Sequence, residues 1–216
     1  MNKLLRIDEL LRQFHSYLSV EDECYYLMNY RPREGATYSE ANQLIYNFKK
    51  PLRYKDQGHW KYKKKAIDEV SRYFREAIIT TMNFDFCTLV PIPPSKEKGD
   101  AEYDDRMSQV LSGAFIGQNV DFRELICCKG NIAASHDSPL RPSIGELYQN
   151  LYLDPREMEG LRDNIVLFDD MLTTGAHFKA CQSLIQDSFP EKRVLGIFIA
   201  RRDVEQITKD FFDDIK

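Results

Sequence analysis

Residues 164–181 read NIVLFDDMLTTGAHFKAC, and this stretch decides the fold class. It opens with four apolar residues, which is the length expected of a buried parallel strand. Two carboxylates, Asp169 and Asp170, end the run, and apolar residues then recur at helical spacing from Phe178 to Ile185. This order of strand, acidic pair, turn and helix predicts one βα unit of an α/β sheet.

The turn in this unit has the chemistry of a phosphate site. Backbone N–H groups at a helix start, together with the positive end of its dipole, attract an anion. Thr173 and Thr174 add hydroxyl donors, and Gly175 lets the backbone approach the anion closely. Asp169 and Asp170 are too near the phosphate to be its ligands, so they need hydroxyls or a cation, and the cis-diol of a ribose satisfies both. The alternative is an ordinary βα turn with a capping carboxylate.

The segment IVLFDDMLTTGA resembles the motif with which type I phosphoribosyltransferases bind 5-phosphoribosyl 1-pyrophosphate (PRPP), commonly an apolar strand followed by DD, two variable residues and TTG. The resemblance implies an α/β fold with a type I phosphoribosyltransferase-like parallel sheet flanked by helices. It also implies that Asp169 and Asp170 are the catalytic pair that holds the ribose hydroxyls. The 5′-phosphate is then cradled by Met171, Leu172, Thr173, Thr174 and Gly175.

A second strand–loop–helix unit covers residues 86–115. An apolar strand at 86–90 runs into PIPPSKEKG, and helical spacing resumes from Met107 to Phe115. In the same family this position is the pyrophosphate loop, and VPIPP is similar to the ComF-like branch. ComF-like members usually continue with an arginine-rich stretch, whereas this chain has KEKGDAEYDDR. The candidates for pyrophosphate binding here are Ser95, Lys96 and Arg106, with surface charge as the alternative role.

Residues 130–145 carry no periodicity and follow a predicted strand at 125–128. A polar insertion of this length between core elements is often an active-site lid. It lies where type I phosphoribosyltransferases carry the flexible loop that closes over the reacting carbon, so Arg141 is the fourth pyrophosphate candidate. A last buried strand is predicted at 193–200.

The sequence predicts two regions, a mainly helical N-terminal hood at residues 1–80 and a phosphoribosyltransferase-like α/β domain at residues 81–216. The hood begins with apolar residues from Leu4 to Leu18 at steps of three and four, which predicts an amphipathic helix. That helix is expected to pack on the core, with a homodimer contact as the alternative. A strand at 24–28 follows, and Thr37 with Glu40 predicts the capping box of a second helix.

The hood also contains a basic stretch at residues 49–65. Its aromatic residues, Tyr54, Trp60 and Tyr62, lie among the cations, and this mixture suits binding of single-stranded DNA. The preferred interpretation is a solvated helix face beside an acidic surface. The basic residues are Lys49, Lys50, Arg53, Lys55, Lys61, Lys63, Lys64 and Lys65.

Composition excludes several classes of protein. The 216 residues carry a net charge of −4 and are 43% hydrophobic, which describes a globular chain without bias toward nucleic acid. No apolar run is long enough to span a membrane, and charges in the first residues argue against a signal peptide. The five cysteines lack CxxC spacing, which favours the reducing cytoplasm over a zinc ribbon or a secreted disulfide framework. GxGxxG and P-loop motifs do not occur in the sequence.

The resemblance implies a phosphoribosyltransferase that transfers phosphoribosyl from PRPP to an unidentified acceptor and releases pyrophosphate, and the cysteine usage favours a cytoplasmic location. Mg²⁺ is expected to bind with PRPP, bridging its oxygens, and no metal-binding set of protein side chains is predicted. The alternative is a ComF-like accessory protein or sensor, which binds PRPP, another ribose phosphate or DNA without turnover.

Overall fold

The computed structural model describes residues 3–130 and 142–204. Its strands are β1 (Leu5–Arg6), β2 (Glu23–Tyr30), β3 (Cys87–Pro91), β4 (Asp121–Phe122), β5 (Ile126–Cys128), β6 (Leu151–Leu153), β7 (Asn164–Leu172) and β8 (Arg193–Arg202). Six of them form one mixed sheet in the order β1-β2-β8-β7-β3-β4, and β5 pairs with β6 in a separate antiparallel ribbon. Every pairing in the main sheet is parallel except that of β1 with β2. The predicted α/β class with helices around a mostly parallel sheet is therefore confirmed.

Helices cover both faces of the sheet. They are α1 (Glu9–Arg12), α2 (Glu40–Phe48), α3 (Lys61–Ile78), α4 (Arg106–Ala114), α5 (Ile144–Gln149) and α6 (Ala176–Ser188). One hydrophobic cluster joins α2, α3 and α4 to the sheet, and the other joins α5, α6 and the β5–β6 ribbon to it. Val166 and Phe168 of β7 belong to the first cluster, and Ile165 and Leu167 to the second. Since alternate strand residues point to opposite faces, the two clusters lie on opposite sides of the sheet.

Strand β7 is longer than predicted. The expected strand at 165–168 is fully buried, as its unbroken apolar run implied, but pairing with β8 continues to Leu172 opposite Arg201. The acidic pair therefore lies within the strand, with neighbouring side chains on opposite faces of the sheet. Asp170 belongs to the face covered by α2 and α4, and Asp169 to the face covered by α6.

Two expectations for the N-terminal region are wrong. The predicted long first helix is replaced by β1 and the single turn of α1, because Leu5 and Arg6 pair with β2 as an edge strand. The second helix begins later than expected, at Glu40. Ser39, in place of Thr37, is its N-cap, since the Ser39 side chain accepts a hydrogen bond from the Asn42 N–H at 3.1 Å.

The region 1–80 contributes directly to the main sheet. Strand β2 pairs with β8 over most of its length, and α2 and α3 pack into the same hydrophobic cluster as β7. The division of the chain at residue 80 stays a prediction, and the two ranges share one sheet and one core. None of the helices in the described ranges combines the length and the apolar character that a membrane span requires.

Candidate functional site

The carboxyl ends of β2, β8, β7 and β3 meet at one edge of the sheet and line a cleft. Its volume is about 770 Å³, within the range of roughly 300–1,000 Å³ that is usual for small-molecule sites. Parallel sheets bind ligands at this edge, where the loops after the strands converge. The two acidic residues of β7 lie at its centre, between loops from the N-terminal region and the loop after β3.

The turn between β7 and α6 forms a smaller pocket beside this cleft. Its volume of about 60 Å³ equals the room of roughly two water molecules, which suits one small anion. Gly175 is the N-cap of α6 with φ 89°, a conformation that glycine adopts without strain. The structure brings all five predicted phosphate-binding residues together as lining of this pocket: Met171, Leu172, Thr173, Thr174 and Gly175.

The segment after α1 holds this turn in place. His15 Nδ1 donates to the carbonyl oxygen of Thr173 at 2.5 Å, and the Tyr17 N–H donates to that of Thr174 at 2.9 Å. His15 is fully buried, and burial lowers its pKa, so that the ring is neutral at pH 7. A Cβ on Gly175 would lie 2.8 Å from Leu18 Cδ2, which shows how closely the two segments pack. Both hydrogen bonds satisfy carbonyl oxygens of the turn and hold its backbone against residues 15–17.

Asp169 connects the two pockets. Its half-buried side chain lines both the small pocket and the large cleft. Oδ1 accepts a hydrogen bond from the backbone N–H of Asp170 at 2.7 Å. Burial, with the adjacent charge of Asp170 as second cause, raises the pKa of Asp169 to about 7. The carboxyl group of Asp169 therefore holds its proton to a higher pH than an exposed aspartate does.

Asp170 is engaged on both oxygens by cations of the protein itself. Lys49 Nζ lies 2.7 Å from Oδ1, and Arg106 donates to Oδ2 from Nη2 at 2.6 Å and from Nε at 3.2 Å. Burial alone would raise the pKa of Asp170, but Lys49 and Arg106 outweigh burial and hold this pKa well below its usual value. The sequence predicts that Asp170 needs hydroxyl groups or a cation as partners. Lys49 and Arg106 supply the cations, so this need is met without a ligand.

The ion pairs continue away from the cleft. Asp104 accepts from Arg106 Nη1 and from Lys63 Nζ, each at 2.7 Å. Lys63 is 1% exposed and also donates to the carbonyl oxygens of Phe48 and Lys50. Five charged side chains from four parts of the chain therefore form one network: Lys49, Lys63, Asp104, Arg106 and Asp170.

The basic stretch at 49–65 divides into internal and exposed side chains. Lys49 and Lys63 belong to the network, and Lys50 is buried with Nζ 3.1 Å from the carbonyl oxygen of His59. These three lysines are used within the protein. A role in binding single-stranded DNA stays a prediction, and it falls on the exposed cations Arg53, Lys55, Lys61, Lys64 and Lys65.

The pyrophosphate candidates have different positions. Ser95 and Lys96 are half-buried in the loop after β3 and line the cleft, where Lys96 has no carboxylate partner within the described ranges. Arg106 also lines the cleft but is paired with Asp104 and Asp170. Arg141 and most of the predicted lid lie outside the described residues.

Sequence reasoning missed Lys49 and His15. Lys49 belongs to the predicted basic stretch. Its contact with β7 was not predictable, because it depends on how α2 packs over the sheet. His15 lies in a segment predicted to be helical, and its spacing to other polar residues carries no signal. The terminal position of Lys49 just after a predicted amphipathic helix was the only available clue.

Comparison of the chain with protein-family models finds no match, and comparison with curated proteins finds none either. Within the described ranges, no three His, Cys, Asp or Glu side chains gather as they would around a metal ion. The geometry of the two pockets is therefore the main indication of function.

Proposed function

We propose that this protein binds PRPP and transfers its phosphoribosyl group to an acceptor, as a type I phosphoribosyltransferase does. The observation that carries the proposal is the position of Asp169, which lines both the small pocket at the β7–α6 turn and the large cleft. A ligand with a phosphate in the small pocket and a sugar over Asp169 extends into the cleft. PRPP has its 5′-phosphate, ribose and pyrophosphate in that order.

Each part of the ligand has a counterpart in the protein. The first N–H groups of α6 and the hydroxyls of Thr173 and Thr174 bind the 5′-phosphate. Asp169 accepts hydrogen bonds from the ribose hydroxyls, because it is the carboxylate that faces both pockets. Asp170 acts through Lys49 and Arg106, which it holds at the cleft wall, where their charge balances an anionic ligand.

The residues present fit Mg²⁺ bound together with PRPP. This cation commonly takes one or two carboxylates and completes its coordination with phosphate oxygens and water, so a dedicated protein cage is not needed. Asp169 is the side chain placed to supply a carboxylate. When bound, Mg²⁺ neutralises negative charge that develops on the leaving pyrophosphate.

The reaction is a substitution at C1 of the ribose. The C1–O bond breaks with its electron pair leaving on pyrophosphate, and the acceptor forms the new bond to C1 and releases its proton to solvent. The protein orients the two reactants, which can lower the barrier by about 7–11 kcal/mol. Lys96 and Arg106 stabilise the departing negative charge from the pyrophosphate side.

A second candidate function is a ComF-like sensor that binds the same ligand without turnover. The engagement of both Asp170 oxygens by Lys49 and Arg106 favours it, since only Asp169 is then left for the ribose. Release of pyrophosphate separates the two candidates, because the sensor binds PRPP and leaves it intact.

Isothermal titration calorimetry with PRPP and Mg²⁺ tests the shared binding step. Asp169→Asn is expected to weaken binding by on the order of tenfold or more, as loss of a charged hydrogen-bond acceptor does. Asp163→Asn is the matched control, since Asp163 is 81% exposed and lies before β7. Equal binding by the wild type and Asp169→Asn would contradict the assignment. A screen of bases for pyrophosphate release then tests turnover.

A further inference from the structure

The cleft extends beyond the acidic pair toward β2. In the sheet order, β8 and then β2 follow β7, and Tyr30 at the end of β2 lies in register with Arg202 at the end of β8. Two strand spacings, about 10 Å, separate β7 from β2. This part of the cleft is therefore far enough from Asp169 to hold a second molecule beside a bound sugar phosphate.

The residues that line this part of the cleft have a distinct chemistry. Apolar and aromatic side chains alternate with arginines, and Glu102, 3.7 Å from Arg53, is the acidic residue paired with them. We call this part the β2 end, and it consists of Tyr30, Pro32, Arg33, Pro51, Leu52 and Arg53. Its composition suits a flat, apolar ring that carries negative charge.

Arg33 has an unusual backbone conformation. Its φ is 73°, and within the described residues it is the one non-glycine residue with positive φ. Pro32 and Arg33 occupy the centre of a turn in which the second central position is normally given to glycine. Glycine adopts this φ without strain, whereas arginine adopts it at a cost of about 1–2 kcal/mol, and the residue that carries this strain lines the cleft.

The turn is fixed by a buried side chain. Asn42 is 1% exposed, and its Nδ2 donates to the carbonyl oxygens of Arg31 at 2.7 Å and Gly35 at 2.9 Å. Its Oδ1 accepts from the Arg31 N–H at 3.1 Å. These three bonds bridge the loop on both sides of Arg33, so the position of its backbone is set before any ligand binds.

Arg33 is exposed, and its guanidinium has no ion-pair partner within the described residues. Two neighbouring cations that line the cleft have partners: Lys49 pairs with Asp170, and Arg53 lies 3.7 Å from Glu102. The pair of Arg53 with Glu102 is largely exposed, so it is weak. One uncompensated guanidinium matches one negative charge, and its planar fork suits a carboxylate.

We propose that the β2 end is the acceptor subsite and that it binds a planar ring bearing a carboxylate, with Arg33 as the residue that holds the carboxylate. The ring lies against Tyr30 and Leu52. The role as acceptor rests on the proposed phosphoribosyl transfer, whereas binding of the carboxylate does not.

Matched ligand pairs test this inference without PRPP. Pyridine-3-carboxylate is compared with pyridine-3-carboxamide, and uracil-6-carboxylate with uracil, by saturation-transfer NMR and calorimetry on the full chain. The wild type is expected to prefer the carboxylate of a pair by on the order of tenfold or more. Inorganic phosphate is a further probe, and displacement of the ring carboxylate by phosphate at equal concentration would show a general anion site and overturn the proposal.

Arg33→Gly is the decisive variant, because glycine accepts the positive φ and the variant should fold with a similar Tm. It is expected to lose the preference for carboxylates, while Lys55→Gln, which removes an exposed charge outside the cleft, keeps it. Unchanged carboxylate affinity in Arg33→Gly, or no carboxylate binding by the wild type, overturns the inference. Failure of PRPP to bind, with the carboxylate preference intact, would instead remove the proposed transfer reaction.

Discussion

The ammonium group of Lys49 lies 2.7 Å from Oδ1 of Asp170, and this ion pair joins the end of α2 to the end of β7. Arg106 binds the other oxygen of the same carboxylate from the start of α4. Asp170 thus connects α2 and α4 to the sheet beside the cleft through ion pairs. Asp169, its neighbour in the strand, has no ion pair within the described ranges and faces the small pocket as well as the cleft. The two adjacent carboxylates are therefore expected to respond differently to substitution.

Asp170→Asn is expected to destabilise the protein by about 3 kcal/mol, because it leaves Lys49 and Arg106 without their shared counter-charge. Asp169→Asn removes no ion pair within the described residues, and it is expected not to lower the free energy of unfolding at pH 7, because asparagine cannot carry the charge that burial disfavours. Urea denaturation of both variants measures the difference. Equal destabilisation by the two substitutions would show that the carboxylates are equivalent.

The stability of the protein is expected to depend on pH through Asp169. Its pKa of about 7 in the folded state lies above the usual value near 3.8, so the folded state binds more protons between these two pH values. This contribution to stability is fully present below pH 3.8 and is lost as the pH rises to about 7.

Urea denaturation of the wild type and Asp169→Asn at several pH values isolates this contribution from that of buried His15. The stability of the wild type relative to the variant should fall from pH 5 to pH 7 and level off above. A difference that does not vary with pH would mean that the Asp169 carboxyl keeps an ordinary pKa.

Substitution of His15 is expected to affect ligand binding although its ring lies behind the phosphate turn. His15→Leu leaves the Thr173 carbonyl without its donor, which should cost about 1–3 kcal/mol of stability and weaken binding of ribose 5-phosphate. His15→Asn is the matched variant, because its amide can donate from nearly the same position as Nδ1. Calorimetry with ribose 5-phosphate should give the order wild type, His15→Asn, His15→Leu, and identical affinities for the two variants would contradict a role for this hydrogen bond.

Gly175→Ala is expected to destabilise the protein by more than about 1 kcal/mol, since alanine is strained at φ 89° and its Cβ would contact Leu18. Trimming Leu18 to alanine in the same chain removes the contact and leaves the strain, so the double variant should lose less stability than the sum of the single losses. Gly145→Ala in α5 is the control, because its Cβ meets ordinary space and alanine favours a helix. Additive losses in thermal denaturation would exclude close packing of residues 15–18 on the turn.

The parts of the fold that follow from local pattern were predictable. The apolar run at 165–168, the strand at 86–90 and the helix from Met107 are set by their own periodicity, and the structure contains all three. The pattern from Leu4 to Leu18 misled, because pairing of residues 5–6 with β2 outweighs helical spacing over so short a stretch.

The candidate site was predictable only where it is local. The residues of the β7–α6 turn are consecutive, so a sequence motif can bring them together. Lys49 and Arg106 reach Asp170 from helices distant in the sequence, and the positions of α2 and α4 depend on packing in the core shared with β7. No spacing in the sequence encodes such a contact. The position of Arg33 likewise depends on the buried Asn42 side chain.

The central claim is that a sugar phosphate binds with its phosphate in the turn between β7 and α6 and its hydroxyls at Asp169. Calorimetric titration of ribose 5-phosphate and of PRPP with Mg²⁺ into the wild type, Asp169→Asn and Asp163→Asn tests it most directly. Saturable binding to the wild type and to Asp163→Asn, with a loss of about tenfold in Asp169→Asn, is the predicted result. Absence of binding to the wild type, or equal binding to all three proteins, would contradict the claim.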